Sequence, residues 1–265
     1  MSPQVPLRGR WQPISDAVDD YFDGLFDYEI PPSVRLMRAA KWQPDSPDQW
    51  CHRCGGSIGP SEVWSDAANG RLACSGCSGS PAVADHVLRL GRWEGILKTA
   101  VAGIKFHAWW EMSDLLGKLM GQAVLEYVGE PSGPWVVVPM PVPWTRRKMR
   151  GIDHAYCLAR SVASTLQAPL RTVLARKNGV PQAGLPAQER RKAPFSDIWL
   201  RRLVSEVVPP QAHLVVVDDV LTTGRTMSVA CRHLQKLGPS AMTAIVAAVA
   251  DRPGRGGGGG SGSGG

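Results

Sequence analysis

Residues Leu214 to Thr226 read LVVVDDVLTTGRT, and the order of residue types in this stretch decides the fold. Four apolar residues predict a short buried strand. Two adjacent carboxylates, Asp218 and Asp219, stand at its carboxyl end, and a Thr/Gly-rich turn then opens a helix. In an open parallel sheet, ligands bind beyond the carboxyl ends of the strands, which is where this turn falls. The backbone N–H groups of Thr222, Thr223, Gly224, Arg225 and Thr226 belong to the first turn of a helix and can wrap a phosphate. Gly224 permits close approach and the threonine hydroxyls add hydrogen bonds. The two aspartates suit the hydroxyls of a sugar attached to that phosphate, and they can also help hold a hydrated Mg2+. A plain polar turn closing a buried strand is the competing reading. The P-loop and dinucleotide fingerprints are absent, because neither G-x4-G-K-[ST] nor G-x-G-x-x-G occurs here.

The segments on either side alternate between helical and strand patterns. Leu115, Leu116, Leu119, Met120, Ala123 and Val124 recur at helical spacing, and a loop at 131–134 leads into a strand over 135–138. Ala155, Leu158, Ala159, Val162 and Leu166 form a second helical face, 226–237 a third helix, and 242–249 a returning strand. This alternation predicts an α/β fold, a Rossmann-like, mostly parallel sheet with helices on both faces. The 265 residues hold one ordinary domain and a small one. We expect an acidic extension over 1–48 with an amphipathic helix near 15–27 and a proline-bearing lead over 31–47. A cysteine module at 49–82, the α/β domain at 85–251 and a flexible Gly/Ser tail at 252–265 complete the chain. Apolar residues make up 43% and charged residues 20%, which argues against wholesale disorder. The longest apolar runs fall far short of a bilayer span and no secretory signal precedes them, so a cytoplasmic location is expected.

Cys51, Cys54, Cys74 and Cys77 form C-x2-C, nineteen intervening residues, then C-x2-C. That is the spacing of a four-thiolate zinc ribbon, a closed shell that holds structure and leaves no position for water activation. Two disulfides or a redox C-x2-C are the alternatives; a reducing cytosol disfavours the first, and the second does not need the other pair. Charge is uneven as well. Net charge is +7, yet residues 146–202 hold thirteen Lys/Arg against Asp153, Glu189 and Asp197. Such a surplus favours a polyanion such as pyrophosphate, nucleotide or nucleic acid, or it is a solvated basic face. Arg146, Arg147 and Arg150 match phosphate geometry, and Lys105 can reach a phosphate or sit at the surface. His107 and His154 are proton carriers or ordinary polar positions. Trp109, Trp110 and Trp144 stack on bases or join the core.

The segment Val215 to Thr226 resembles the phosphoribosyl pyrophosphate (PRPP) motif of type I phosphoribosyltransferases. With the cysteine ribbon ahead of it, Gly103-Ile104-Lys105-Phe106, Val138-Pro139-Met140-Pro141, and Arg146, Arg147, Arg150 and Gly151, the chain is similar to the ComF competence family over about residues 51–251. The resemblance implies a type I phosphoribosyltransferase fold with a small N-terminal zinc ribbon. It implies PRPP as ligand, with Asp218 and Asp219 as the ribose-binding and catalytic acids. Thr222, Thr223, Gly224, Arg225 and Thr226 then form the 5′-phosphate loop, Arg146, Arg147, Arg150 and Lys105 serve the pyrophosphate, and Mg2+ accompanies PRPP. Pyrophosphate would be displaced from PRPP by an unidentified acceptor; a catalytically silent PRPP or nucleotide sensor and a single-stranded DNA handling module are the alternatives. The family's link to DNA uptake extends the expected partners to single-stranded DNA and to helicase or recombination-mediator proteins. Ile152, Asp153 and His154 replace the Phe, Asn and Gln of the family's RGFNQ segment. Gln182, Leu185, Arg190 and Phe195 follow its later pattern, with Ala193 where Asn is usual.

Overall fold

The computed structural model describes residues 32–58, 63–66, 71–77, 82, 84–177, 197–202, 204 and 207–251. The expected helix near 15–27, the Gly/Ser tail, and Gln182, Leu185, Arg190, Ala193 and Phe195 lie outside the described residues. Among the described residues the central sheet has four strands: β3 (His86–Arg92), β4 (Trp135–Pro139), β7 (His213–Leu221) and β8 (Ala241–Val249). They run in the order β3-β8-β7-β4, and every pairing is parallel. Both faces are covered, as a buried parallel sheet requires. Val137, Val215, Val217, Ile245 and Ala247 face one side, against α2 (Gly95–His107), α3 (Trp110–Val128) and α5 (His154–Thr165). Their neighbours Val136, Val138, Leu214, Val216, Ala244 and Val246 face the other side, where α6 (Arg225–Leu234) lies. The strand period of two assigns Leu214 to Val217 of β7 to alternate layers, and the phase shifts after the aspartates, where Val220 joins the first layer and Leu221 the second.

The α/β reading holds, and the structure adds elements to it. β3 and α2 did not stand out by pattern, because His86, Arg89 and Arg92 interrupt the apolar run of the strand. β7 continues through both aspartates to Leu221 instead of stopping before them, with Asp218 opposite Val246 and Leu221 opposite Val249. The proline-bearing lead contains a helix, α1 (Pro32–Ala39), whose Val34 and Met37 are buried with α2 and α3. Proline at a first helical position has no N–H to lose, so Pro32 starts this helix and does not break it. Helices α3 and α5 approach closely through Gly117 and Gly121. A Cβ on Gly117 would lie 2.6 Å from Ser161 Cβ, and one on Gly121 2.6 Å from Thr165 Cβ.

The cysteine module pairs β1 (Val63–Asp66) with β2 (Arg71–Cys74) as an antiparallel ribbon. Three buried side chains tie the module to the sheet. Trp50 donates its indole N–H to Val87 O at 3.1 Å. His52 bridges Pro47 O (2.8 Å) and the Tyr127 hydroxyl of α3 (2.7 Å), and its Nδ1 accepts from Leu72 N at 3.2 Å. Arg89, 1% exposed, reaches Asp45 at 2.7 Å, Gly55 O at 2.9 Å and Ser57 Oγ at 3.0 Å, with Asp251 at 3.9 Å. Burial lowers the pKa of Arg89 and raises that of Asp45, so each charge persists through its partners. Gly55, at φ +73°, fits the module against Val87, Val249 and Leu221, where a Cβ would meet methyl groups at 3.0 to 3.6 Å.

Candidate functional site

At the carboxyl end of the sheet, β4 and β7 each release a loop. After β4 the chain passes Met140 to Pro143 into α4 (Trp144–Arg150), which ends at Gly151 in the left-handed region. Asp153 then caps α5, its carboxylate accepting from Tyr156 N at 3.1 Å and lying 3.6 Å from Arg147. The cap places His154 at the first helical position, buried and turned toward β7. After β7, Gly224 (φ +73°) turns the chain into α6, and Ser228 closes the first turn by donating from N (2.8 Å) and Oγ (2.9 Å) to Gly224 O. Gly224 and Thr226 line the cavity, so the first turn of α6 borders it, and an anion is favoured at a helix N-terminus.

The two aspartates have different surroundings. Asp219 Oδ2 receives Lys105 Nζ at 3.0 Å and His154 Nε2 at 2.9 Å. The Arg150 guanidinium stands 3.5 Å from His154 Nδ1, so the ring lies between Arg150 and Asp219. Burial pushes the Asp219 carboxyl up, but the hydrogen bonds and charges of His154 and Lys105 outweigh it and hold the group below the ordinary range. Asp218 has no such contact with a cation among the described residues. Its Oδ1 accepts from Asp219 N at 2.9 Å, and burial together with the Asp219 charge pushes it up to about 7. Burial and the neighbouring Arg146 lower the pKa of Arg150.

One cavity of ≈ 190 Å³ brings together Lys105, Arg146, Arg150, Asp218, Asp219, Thr222, Thr223, Gly224 and Thr226. Arg147, expected among the phosphate ligands, lines the neighbouring groove instead, and Arg225 is not part of the cavity wall. His154 and Arg176 complete the wall. The position of His154 behind a capping Asp153 is a signal that the sequence carries. Arg176 has none, since the three-residue strand β5 (Leu174–Arg176) that presents it pairs with β6 (Ile198–Leu200), across a long stretch of chain. Trp109 packs over Gly103 at the edge of the core, whereas Trp110 and Trp144 are exposed.

The four sulfur atoms of Cys51, Cys54, Cys74 and Cys77 all lie within 4.8 Å of one another. Individual separations are 3.8 Å (Cys51–Cys77), 3.9 Å (Cys54–Cys74) and 3.5 Å (Cys74–Cys77). A tetrahedron with Zn–S bonds of ~2.3 Å has edges of about 3.8 Å, so the donor set fits zinc. The six cysteines are free thiols, which removes the disulfide alternative. Thiols this close cannot all ionise without a cation: hydrogen bonds from Cys54 and Cys77 lower Cys51, while those with Cys51 push Cys54 up to about 12. Cys74 N also donates to Cys51 Sγ at 3.2 Å, as amides do around bound thiolates.

Residues 153–257 match the family model described as the phosphoribosyl transferase domain. Competence protein F of Haemophilus influenzae is 27% identical over 169 residues, which cover 62% of this chain and 73% of that protein. Among solved structures, glutamine PRPP amidotransferase from B. subtilis, complexed with ADP and GMP, is similar at 16% identity and a TM-score of 0.32. That match covers 51% of this chain and only 25% of the amidotransferase. TT1426 from Thermus thermophilus is similar at 17% identity and a TM-score of 0.31, covering 52% of this chain and 81% of that one. Among the described residues, no helix is long and apolar enough to cross a membrane.

Proposed function

For a chain that carries a phosphoribosyl transferase domain and is a relative of Competence protein F in the ComF family, we propose that the cavity binds PRPP and supports displacement of its pyrophosphate. The observation that carries this reading is the division of the acids: Asp219 is neutralised by Lys105 and His154, whereas Asp218, beside the turn of Thr222 to Thr226, meets no cation among the described residues. A phosphate fits the N-terminus of α6, where N–H groups and threonine hydroxyls converge. The ribose hydroxyls donate to Asp218 and Asp219, and the pyrophosphate lies toward Arg146, Arg150 and Lys105. Asp218 also suits a divalent cation, because its carboxylate faces the cavity with its charge uncompensated. Bound Mg2+ supplies charge neutralisation for the leaving group.

In the transfer, a nucleophile on the acceptor forms a bond to C1 of the ribose as the C1–O bond to pyrophosphate breaks. The bonding pair leaves with pyrophosphate, and the acceptor's proton passes to solvent or to the pyrophosphate. Positive charge on the ring in the transition state is stabilised by the aspartates, and negative charge on the leaving group by the arginines. Positioning therefore supplies most of the rate. In this reading His154 is a positioning residue, its Nε2 2.9 Å from Asp219 Oδ2. The name of its relative supports a role in competence. The zinc ribbon is structural in this reading: Cys51, Cys54, Cys74 and Cys77 fill its shell.

Calorimetric titration with PRPP, with and without Mg2+, tests the proposal. Wild-type chain should bind in a Mg2+-dependent manner and the Asp218→Asn, Asp219→Asn variant should not. A folded, zinc-loaded wild type that does not bind PRPP would overturn it, and binding without pyrophosphate release in the presence of candidate acceptors would make the protein a sensor.

A further inference from the structure

Beside the proposed PRPP cavity lies a larger groove of ≈ 660 Å³, separated from it by a shared wall of Met140, Pro141, Val142 and Arg176. Its volume falls in the range of about 300–1,000 Å³ usual for sites of small ligands. Its surface combines two features that a solvated face does not need together. Three large aromatic side chains line it while remaining exposed: Trp110 at 50%, Trp144 at 58% and Tyr156 at 40%. Four guanidinium groups, of Arg147, Arg160, Arg176 and Arg201, line it as well, against the single carboxylate of Asp153. Asp153 stands against Arg147, and Asp197 holds Arg176 at 3.0 Å. Among the described residues Arg160 and Arg201 meet no carboxylate. Tyr156 and Arg160 stand one turn apart on α5, so a ring and a guanidinium are presented side by side.

We propose that this groove binds a nucleotide unit, with its base stacked on the exposed rings and its phosphate held by Arg160 and Arg201. Large aromatic faces left in water are recovered by a flat, weakly hydrated ring, and guanidinium forks match phosphate oxygens. A purely apolar ligand leaves the arginines unanswered, and a bare phosphate leaves the aromatic faces wet. The site goes beyond the PRPP reading and does not rest on it, because none of the residues assigned to base or phosphate here lines the smaller cavity. The same chemistry serves a free nucleotide or one nucleotide of a single strand that crosses the groove.

The test titrates full-length, zinc-loaded protein carrying Thr223→Glu, whose carboxylate repels a phosphate from the turn of the smaller cavity. Ligands are AMP, ribose 5-phosphate and a short oligo-dT. AMP should bind more tightly than ribose 5-phosphate. Trp144→Ala and Tyr156→Ala should each weaken AMP on the order of tenfold, the scale of one lost base stack. Arg160→Glu should weaken it at least as much and reduce the salt dependence of oligo-dT binding. Tyr156 and Arg160 are exposed, so these variants keep their fold, which zinc content and circular dichroism check. Oligo-dT binding far more tightly than AMP, with the same variant pattern, identifies the nucleotide as part of a strand; the reverse identifies a free nucleotide. Equal binding of AMP and ribose 5-phosphate, insensitivity to the groove variants, or no binding of either AMP or oligo-dT overturns the proposal.

Discussion

Mg2+-dependent PRPP binding should strengthen about tenfold between pH 6 and pH 8, and the cause should be one carboxyl. Asp218 is pushed up to about 7 by burial and by the charge of Asp219. To accept ribose hydroxyls or hold a cation it must be ionised, and with that pKa it is about 9% ionised at pH 6 and about 91% at pH 8. The ratio of the two fractions is the expected gain in apparent affinity. The 5′-phosphate of PRPP titrates near pH ~6 and shifts binding in its own right, so the decisive quantity is the quotient of wild type to Asp218→Asn at each pH. That quotient should rise with a midpoint near 7 when measured calorimetrically at constant ionic strength. A flat quotient would refute the assignment of Asp218 to ligand binding. In the free protein the sign is opposite: the unfolded carboxyl releases its proton near 3.8, the folded one keeps it to about 7, and stability from Asp218 is therefore lost as pH rises through that window.

Replacing Arg89 by Met strands Asp45 and leaves Gly55 O without its donor, while Ser57 keeps its hydrogen bonds to Asp251 at 2.8 and 2.7 Å. Breaking a buried pair costs about 3–5 kcal/mol, and because Asp45 is partly solvated we expect about 3 kcal/mol in urea denaturation, with a loss below about 1 kcal/mol counting against the clamp. Gly117→Ala gains up to about 1 kcal/mol in helix propensity but forces a methyl to within 2.7 Å of Leu158 O, a backbone atom that cannot step aside. Overpacking of about 1–3 kcal/mol wins, so Tm should fall, and a rise would show that α3 and α5 are less tightly apposed. Cys74→Ser should abolish stoichiometric zinc in metal analysis, whereas retention of one tightly held ion per chain would exclude the four-thiolate site.

Much of this was legible because the informative residues are close together in the chain. The stretch over 214–226 contains a strand, its ligand-facing end and the start of a helix, and the structure differs from that reading only in carrying β7 on to Leu221. The cysteine spacing was equally local. The elements that escaped depend on distant partners. β3 reads poorly as a strand because Arg89 interrupts it, and its burial makes sense only with Asp45, Gly55, Ser57 and Asp251 around it. The sequence leaves Lys105 between a phosphate ligand and a surface lysine, since Asp219, which turns it inward, lies more than a hundred residues later. Arg147, by contrast, looked like its neighbours Arg146 and Arg150, but a short helix sends adjacent side chains in different directions, and Asp153 holds it over the groove.

The same geometry explains why two adjacent aspartates do different work. Side chains alternate along β7, so Asp219 shares the layer of Val215 and Val217, where α2 brings Lys105 and α5 brings His154. Asp218 shares the layer of Leu214 and Val216, on the side of α6, where no cation of the described residues reaches its carboxylate. One acid is thus fixed in place and the other is held at a cost that a ligand can relieve. Their amide replacements should then shift stability in opposite directions at pH 8. Asp218→Asn removes an uncompensated buried charge and should raise Tm in the free protein. Asp219→Asn leaves Lys105 and His154 facing a neutral group, losing charge-assisted hydrogen bonds of about 1.5–3 kcal/mol each at most, and should lower it. Each single variant should weaken PRPP binding, so thermal melting of the free proteins separates the roles that binding does not. If both replacements destabilise alike, the two carboxylates are equivalent and the division of labour drawn from the strand period is wrong.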